Sequence, residues 1–256
     1  MFDSNDSEDI IKEKLKKDSI ILAYRGSIAH GMYMPNTDPN SIDDIDLMSI
    51  CVPSIDHYFG LKQYGSRGTK EIKKDKWDIV IYEFLKFVSL LRNGNPNVLS
   101  LLWLEPEDYI HLTDEGRHLI KNRHLFANKS IYHSFSGYAR AQLYKMTHLA
   151  FKGYMGEKRK KLVEQYGYDT KNAAHLIRLL RMAIEFLTDG ELRVKRTDAQ
   201  ELLNIKRGEW ALEKVKQEAE DLFSLSSEAF VKSSLPLKPD VDAINKLCVE
   251  ILHTFL

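Results

Sequence analysis

The strongest constraint on the fold is a change of hydrophobic period partway along the chain. In the first third, three short apolar runs, SIILAYRG (19–26), DIDLMSICV (44–52) and WDIVIYEF (77–84), are β-branched or alternating and lie between polar loops, which is the pattern of strands. Ile10, Ile11 and Leu15 mark a helix before the first run. FLKFVSLL (84–91) continues at helical spacing after the third, until Gly94-Asn95-Pro96 stops it. From about residue 114 the strand signals fade, and 130–153, 169–189, 198–206, 210–232 and 239–255 all carry helical periodicity, with LPLKP (235–239) as a turn between helices. The pattern predicts an α/β unit followed by a helical unit, with a soft boundary near Glu105-Pro106-Glu107 and a cleft where the two face each other.

Composition narrows the function classes. Lys plus Arg and Asp plus Glu both number 37 in 256 residues, so any grip on nucleic acid must be a local patch rather than a polycationic surface. No run approaches the roughly 18 to 20 apolar residues of a membrane span, and the start, MFDSNDSEDIIKEKLKK, carries acids where a signal peptide needs a basic and then an apolar segment. The expectation is a cytoplasmic protein with no membrane partner. Cys51 and Cys248 are far apart, with no CxxC and no His at zinc-site spacing, and read as two buried thiols. No GxxxxGK[ST] occurs, so P-loop chemistry is not indicated. Nothing in the pattern sets the oligomeric state.

The chemically informative stretch is YRGSIAHGMYMPNTDPNSIDDIDLMSI, residues 24–50. An apolar strand ends in Gly26-Ser27 and a short helical segment follows. At such a junction free backbone N–H groups point outward and the missing Cβ of Gly26 lets a polyphosphate approach. Further on, Asp44 and Asp46 stand two apart on an expected strand, so their carboxylates emerge from one face while Asp43 and Ile45 point the other way. Two like charges in one place repel, and a divalent cation removes that penalty; hard Mg²⁺ prefers carboxylate and phosphate oxygens. A third carboxylate is needed to seat two metals for an in-line phosphoryl displacement. Asp78 is the candidate, sharing a strand face with Val80 and Tyr82 opposite Trp77, Ile79 and Ile81. A lone D-x-D is also what a solvated strand edge or turn shows, and a strand-initiating acid needs no function, so it is the conjunction with the Gly-Ser bend that points to chemistry.

The order G-S, A-H-G, a Pro, an Asp and D-I-D resembles the nucleotidyltransferase signature of the DNA polymerase beta superfamily. The whole chain resembles more closely a bacterial and phage family of nucleotidyltransferases found beside RNA-repair genes. The matching segments are GSIAHGMYMPNTD (26–38), DDIDLMSICVP (43–53), DIVIYEFLKFVSLLRNGNPNVLSLLWL (78–104), YGYDTKNAAHLIRLLRMAIEFLTDGEL (166–192) and LLNIKRGEW (202–210). The resemblance implies an α+β fold: a palm-like nucleotidyltransferase domain over 1–110 with a mixed sheet and flanking helices, then a helical domain over 111–256 closing the nucleotide cleft. It implies transfer of a nucleoside monophosphate from a nucleoside triphosphate to a hydroxyl, most simply at an RNA (tRNA-like) 3′ end, with two Mg²⁺ or Mn²⁺ ions. It places Gly26 and Ser27 at the triphosphate, Asp44 and Asp46 on the metals, and Asp78 as a metal ligand that also serves as general base. Two departures stand out: the Gly-Ser to Asp-x-Asp spacing exceeds the minimal superfamily pattern, and Ser100 stands where the family pattern has an acid after N-P-x-x-L.

Projected at 100° per residue, the helix from Thr170 to Thr188 puts Ala173, Leu176, Ile177, Leu180, Ile184 and Leu187 on one side and Lys171, His175 and Arg178 on the other. That basic stripe is either a solvated face or, as the resemblance implies for K-x-x-x-H-x-x-R, part of the active cleft, where Lys171 and Arg178 hold phosphate. His30, in the phosphate bend, is either a phosphate donor or a packed histidine. Gly94-Asn95-Pro96-Asn97 reads as a helix stop and the next cap. KEIKKDK (70–76) and KRKK (158–161) read as solvated basic loops that could touch RNA. Two rival functions share the same residues: nucleotidylation of a protein side chain or small molecule, and a catalytically silent nucleotide sensor.

Overall fold

The computed structural model describes residues 8–148 and 157–255, apart from residues 18, 36, 39, 40 and 42. The three apolar runs form β1 (Ser19–Tyr24), β2 (Ile45–Cys51) and β4 (Trp77–Glu83), joined by two further strands, β3 (Thr69–Lys74) and β5 (Tyr109–Leu112). Their order is β3-β4-β2-β1-β5. β2 and β4 run parallel and the other neighbours antiparallel, so the sheet is mixed. Strand alternation sorts the apolar residues onto two faces: Met48, Ile50 and Val80 pack against the helices, while Leu22, Leu47, Cys51, Trp77, Ile79 and Ile81 form a smaller cluster on the far side with Leu15.

The helices are α1 (Glu8–Lys17), α2 (Gly26–Ala29), α3 (Phe84–Arg92), α4 (Pro96–Leu99), α5 (Asp114–Lys121), α6 (Ile131–His148), α7 (Glu157–Tyr166), α8 (Thr170–Asp189), α9 (Ala199–Lys206), α10 (Leu212–Lys232) and α11 (Val241–His253). Their starts and stops follow from local chemistry. The Glu83 carboxylate accepts from the backbone of Leu85 and Lys86 to cap α3, Asn95 accepts from Asn97 and Val98 to cap α4, and Asp169 accepts from Asn172 to cap α8. Gly190, at φ 74°, ends α8 in the left-handed region. α8 lies against α6, α9 and α10 and is buried nearly all round, so it is the central helix of the molecule. One continuous core runs from Ile20 and Met48 of the sheet to Leu222 and Ile251 in the helices. Among the described residues no helix is long and apolar enough to cross a membrane.

Several expected elements are corrected. KEIKKDK is not a loop: its first five residues belong to β3, an edge strand where Ile72 packs beneath the sheet and lysines protect the free edge from pairing. KRKK lies within α7, and Arg159 there pairs at 2.7 Å with the buried Asp169. β5 crosses the expected boundary at residue 110 and returns the chain to β1. Of the helix read over 130–153, residues 149–153 lie outside the described set.

Packing of α5 on β1 is close enough to reverse an ordinary propensity rule. Gly116 sits inside α5, where alanine would normally gain about 1 kcal/mol. A Cβ there would stand 2.3 Å from the Ile20 carbonyl oxygen and 2.9 Å from the Ile21 side chain. The clash outweighs the propensity, and Gly116→Ala is expected to lose about 1–3 kcal/mol in urea unfolding; equal or greater stability would show that α5 is not seated this tightly.

Candidate active site

The parallel ladder between β2 and β4 puts Asp46 directly opposite Asp78, with Leu47 opposite Ile79 and Met48 opposite Val80. Adjacent strands are about 4.8 Å apart, so two carboxylates stand side by side on the helix-facing side of the sheet. The chain supplies their counter-charge. Arg25, just after β1, places one guanidinium nitrogen, Nη2, 3.3 Å from Asp78 Oδ1 and 3.6 Å from Asp46 Oδ1, and its Nε donates to the Leu47 carbonyl at 3.2 Å. Lys73, the cross-strand partner of Asp78 on β3, places Nζ 3.6 Å from Asp78 Oδ2. Burial raises the Asp46 pKa above its ordinary value; Arg25 and then Lys171 oppose this, while Asp78 and, more weakly, Asp44 add to it.

Gly26 is required here for two separate reasons. Its φ is +63°, and a Cβ would sit 2.2 Å from Asp46 Oδ2. Only glycine lets the bend that begins α2 approach the carboxylate so closely. Ser27 follows on the same bend.

All nine residues selected from the sequence line one cavity of about 410 Å³: Gly26, Ser27 and His30 from the bend, Asp46 and Asp78 from the sheet with Asp44 just ahead of β2, and Lys171, His175 and Arg178 from α8. The basic stripe of α8 therefore faces the cleft. Tyr138, Gln142 and Lys145 of α6 complete the wall, and Asn97 and Ser100 lie at its edge. Arg178 is 6% exposed, its Nε has no hydrogen-bond partner, and no carboxylate forms an ion pair with it among the described residues. Burial first, then Arg196, pull its pKa down to about 9. His175 is partly buried and held neutral by burial and by the charges of Arg178, Lys171 and Lys206.

The structure departs from the sequence expectations at three positions, Asp44, Asp43 and His30. Asp44 precedes β2 instead of lying on it and is exposed at the cavity rim, because the ladder starts only at Ile45. Asp43, expected to point away, is buried and lines the cavity: it accepts from the Met34 N–H at 2.9 Å, pairs with the buried Lys206 of α9, and lies 3.6 Å from Lys171 Nζ. His30 is not placed to donate to a phosphate. Arginine can only donate and a carbonyl only accept, so the contacts fix Nδ1–H on the Val194 carbonyl at 2.9 Å and Nε2 as acceptor from Arg178. Burial and Arg178 hold the ring neutral; it is a strut that aims the guanidinium. Ser100 donates to the Pro96 carbonyl at 2.8 Å and brings no charge to the site.

Arg25, Lys206 and the loop bearing Val194 were not singled out in the sequence. That loop is pinned by ion pairs of Arg196 with Glu185 and Asp198, and Arg181 ties Asp198 to Glu201 and Glu218. GNPN behaves as a stop and cap, with the Asn95 amide also donating to the Tyr138 hydroxyl at 2.9 Å.

Among the described residues no three His, Cys, Asp or Glu side chains stand close enough to hold a metal, so the three-acid convergence expected from the sequence is reduced to an adjacent pair with Asp44 at the rim. The donor chemistry still fits Mg²⁺ or Mn²⁺. Asp46 and Asp78 present hard oxygens side by side, and a cationic group, the Arg25 guanidinium, already rests on both.

Residues 8–250 match the profile of the RNA repair pathway DNA polymerase beta family. No curated protein matches the chain.

The raised Asp46 pKa carries a signed consequence. A carboxyl whose folded pKa lies above its unfolded value of 3.8 leaves the protein most stable when protonated, and stability falls as pH rises from there through the folded pKa. Asp46→Asn is therefore expected to melt higher than wild type at pH 7.5 in the absence of ligand, with the gap closing below about pH 4. A lower melting temperature at pH 7.5 would contradict the assigned balance of burial over ion pairing.

Proposed function

The chain belongs to the RNA repair pathway DNA polymerase beta family, and on that premise we propose that it transfers a nucleoside monophosphate from a nucleoside triphosphate to the 3′-hydroxyl of an RNA, with Mg²⁺ or Mn²⁺. The observation that carries this reading is the polarity of the cavity: adjacent carboxylates on the sheet wall and, on the α8 wall, a buried guanidinium without a carboxylate partner among the described residues. A buried charge of that kind is costly unless an anion joins it, and a triphosphate bridging to cations on the carboxylates satisfies both walls at once.

Asp46 and Asp78, with Asp44 from the rim, are the residues that would hold the divalent ions. Those ions supply charge neutralisation to the attacking and leaving oxygens. The remaining work falls to the chain's own groups. Arg178 offers its fork and Lys171 a point charge to the phosphate oxygens. Neutral His175 can donate a hydrogen bond to the same oxygens without competing for the anion. The Gly26 bend removes the Cβ that would keep a polyphosphate away from Asp46. Asp78, opposite Asp46 on the neighbouring strand, would take the proton of the incoming hydroxyl as general base. The acceptor assignment to RNA rests on the family, since the chain as a whole carries no net charge.

Labelled nucleoside triphosphates offered with separate RNA and protein pools test the reaction: label in RNA is expected, and label in protein alone would overturn the acceptor. Asp78→Asn is expected to lower kcat by roughly a hundredfold or more while the protein stays folded; near-normal turnover would refute the site. Arg178→Met is expected to raise the KM for triphosphate by about ten- to a hundredfold, the scale of a charge-assisted contact, and to cut the thermal stabilisation that the triphosphate gives the wild type. An unchanged KM would remove Arg178 from the binding site.

A further inference from the structure

We infer that Arg25 is an exchangeable internal cation, which occupies the Asp46–Asp78 pair when no metal is bound and sets how much divalent cation is needed to load the site. This rests on the reading of that pair as the metal ligands given above.

The four carboxylate oxygens of the pair have separate destinations. Asp46 Oδ2 faces the Gly26 bend, Asp78 Oδ2 faces Lys73, and the two remaining oxygens, one from each acid, converge on the same Arg25 nitrogen at 3.6 and 3.3 Å. Two carboxylates held in register on neighbouring strands repel each other and need a shared positive charge. The guanidinium provides it without any ion from solution. It is not there by default of packing. Nε is anchored on the Leu47 carbonyl at 3.2 Å, and the Arg25 backbone N–H donates to the Asp46 carbonyl at 3.0 Å, so the side chain is aimed from the strand that carries one of the acids.

A divalent ion held by Asp46 Oδ1 and Asp78 Oδ1 would stand against the two oxygens that the guanidinium now faces. It would bring two like charges, metal and guanidinium, within a few ångströms of each other, and that repulsion drives Arg25 off the pair. Loading is thus an exchange in which the metal's free energy of binding is reduced by that of the ion pairs it breaks. Both acids and Arg25 are about one-quarter exposed, so each ion pair is neither fully screened nor deeply buried. The released guanidinium stays on a side chain that lines the cavity, where a phosphate fork is of use once the triphosphate arrives. Lys73 does not compete in the same way, because it contacts Asp78 alone and from the solvent side, at 75% exposure.

The test is Mn²⁺ binding to the full chain, measured by calorimetry and by the loss of the free Mn²⁺ paramagnetic resonance signal, without nucleotide. Arg25→Gln is expected to bind Mn²⁺ roughly tenfold tighter than wild type, the factor that corresponds to breaking a partly exposed, doubly shared ion pair. Arg25→Gln combined with Asp78→Asn is expected to lose that gain. Arg25→Lys, which keeps the charge but lacks the Nε that anchors the side chain on the Leu47 carbonyl, serves should the glutamine variant fail to fold, and is expected to bind tighter than wild type by a smaller factor. Metal-free Arg25→Gln should melt below wild type and recover more than wild type on adding Mn²⁺. Equal or weaker Mn²⁺ binding in the Arg25 variants, with wild-type binding intact, would overturn the exchange while leaving the metal site standing. Absence of binding in wild type and variants alike would overturn both.

Discussion

The register of a single parallel strand pair governs what this molecule can do. A one-residue slip between β2 and β4 would send Asp78 to the far face, among Trp77, Ile79 and Ile81, and leave Asp46 without a neighbour. The register is held because both faces of both strands are buried: Met48, Ile50 and Val80 against the helices, and Leu47, Cys51, Ile79 and Ile81 beneath. The core thereby positions two charges that would otherwise repel, and Arg25 neutralises them from the neighbouring strand.

The opposite wall is held by a second set of contacts that links sequence-distant elements. Asp43, buried just before β2, joins Lys206 of α9 and Lys171 of α8, so the approach to the acid pair is tied to the central helix. Burial lowers the Lys206 pKa while Asp43 raises it, which makes the pair necessary once the lysine is inside. On the far end of the basic stripe, the Arg196 and Arg181 networks fix the loop that carries Val194. Val194 fixes His30, and His30 aims Arg178. Arg178, which has no carboxylate partner among the described residues, is therefore rigidly placed, as a binding group for a fixed anion should be.

The strands with β-branched alternation and the central helix are legible in the sequence because each is buried on a regular period, and the Gly26 bend because a Gly-Ser pair ends an apolar strand. β3 is hidden by its position: a lysine-rich edge strand looks like a solvated loop until Ile72 is seen beneath the sheet. α7, with EKRKK at its start, was hidden for the same reason. In the site, the acids and the α8 stripe follow from spacing. Arg25 does not, since a charged residue ending an apolar strand has no periodic signature and its partners lie 21 and 53 positions away. Alternation points Asp43 to the wrong face because the residue precedes the ladder, where no strand partner enforces the period. His30 looked like a donor because its acceptor and its donor, Val194 and Arg178, arrive from 164 and 148 residues on.

On the proposed reading, the acid pair and the α8 cations address one ligand from opposite walls. A crystal structure with a nonhydrolysable nucleoside triphosphate and Mg²⁺ tests it directly. Metal density is expected on the Asp46 and Asp78 carboxylates, with phosphate oxygens within hydrogen-bond distance of Lys171 and Arg178 and the Arg25 guanidinium moved off the acid pair. A triphosphate bound elsewhere, or bound in the cavity with Arg25 still bridging Asp46 and Asp78 and no metal on either, would contradict it.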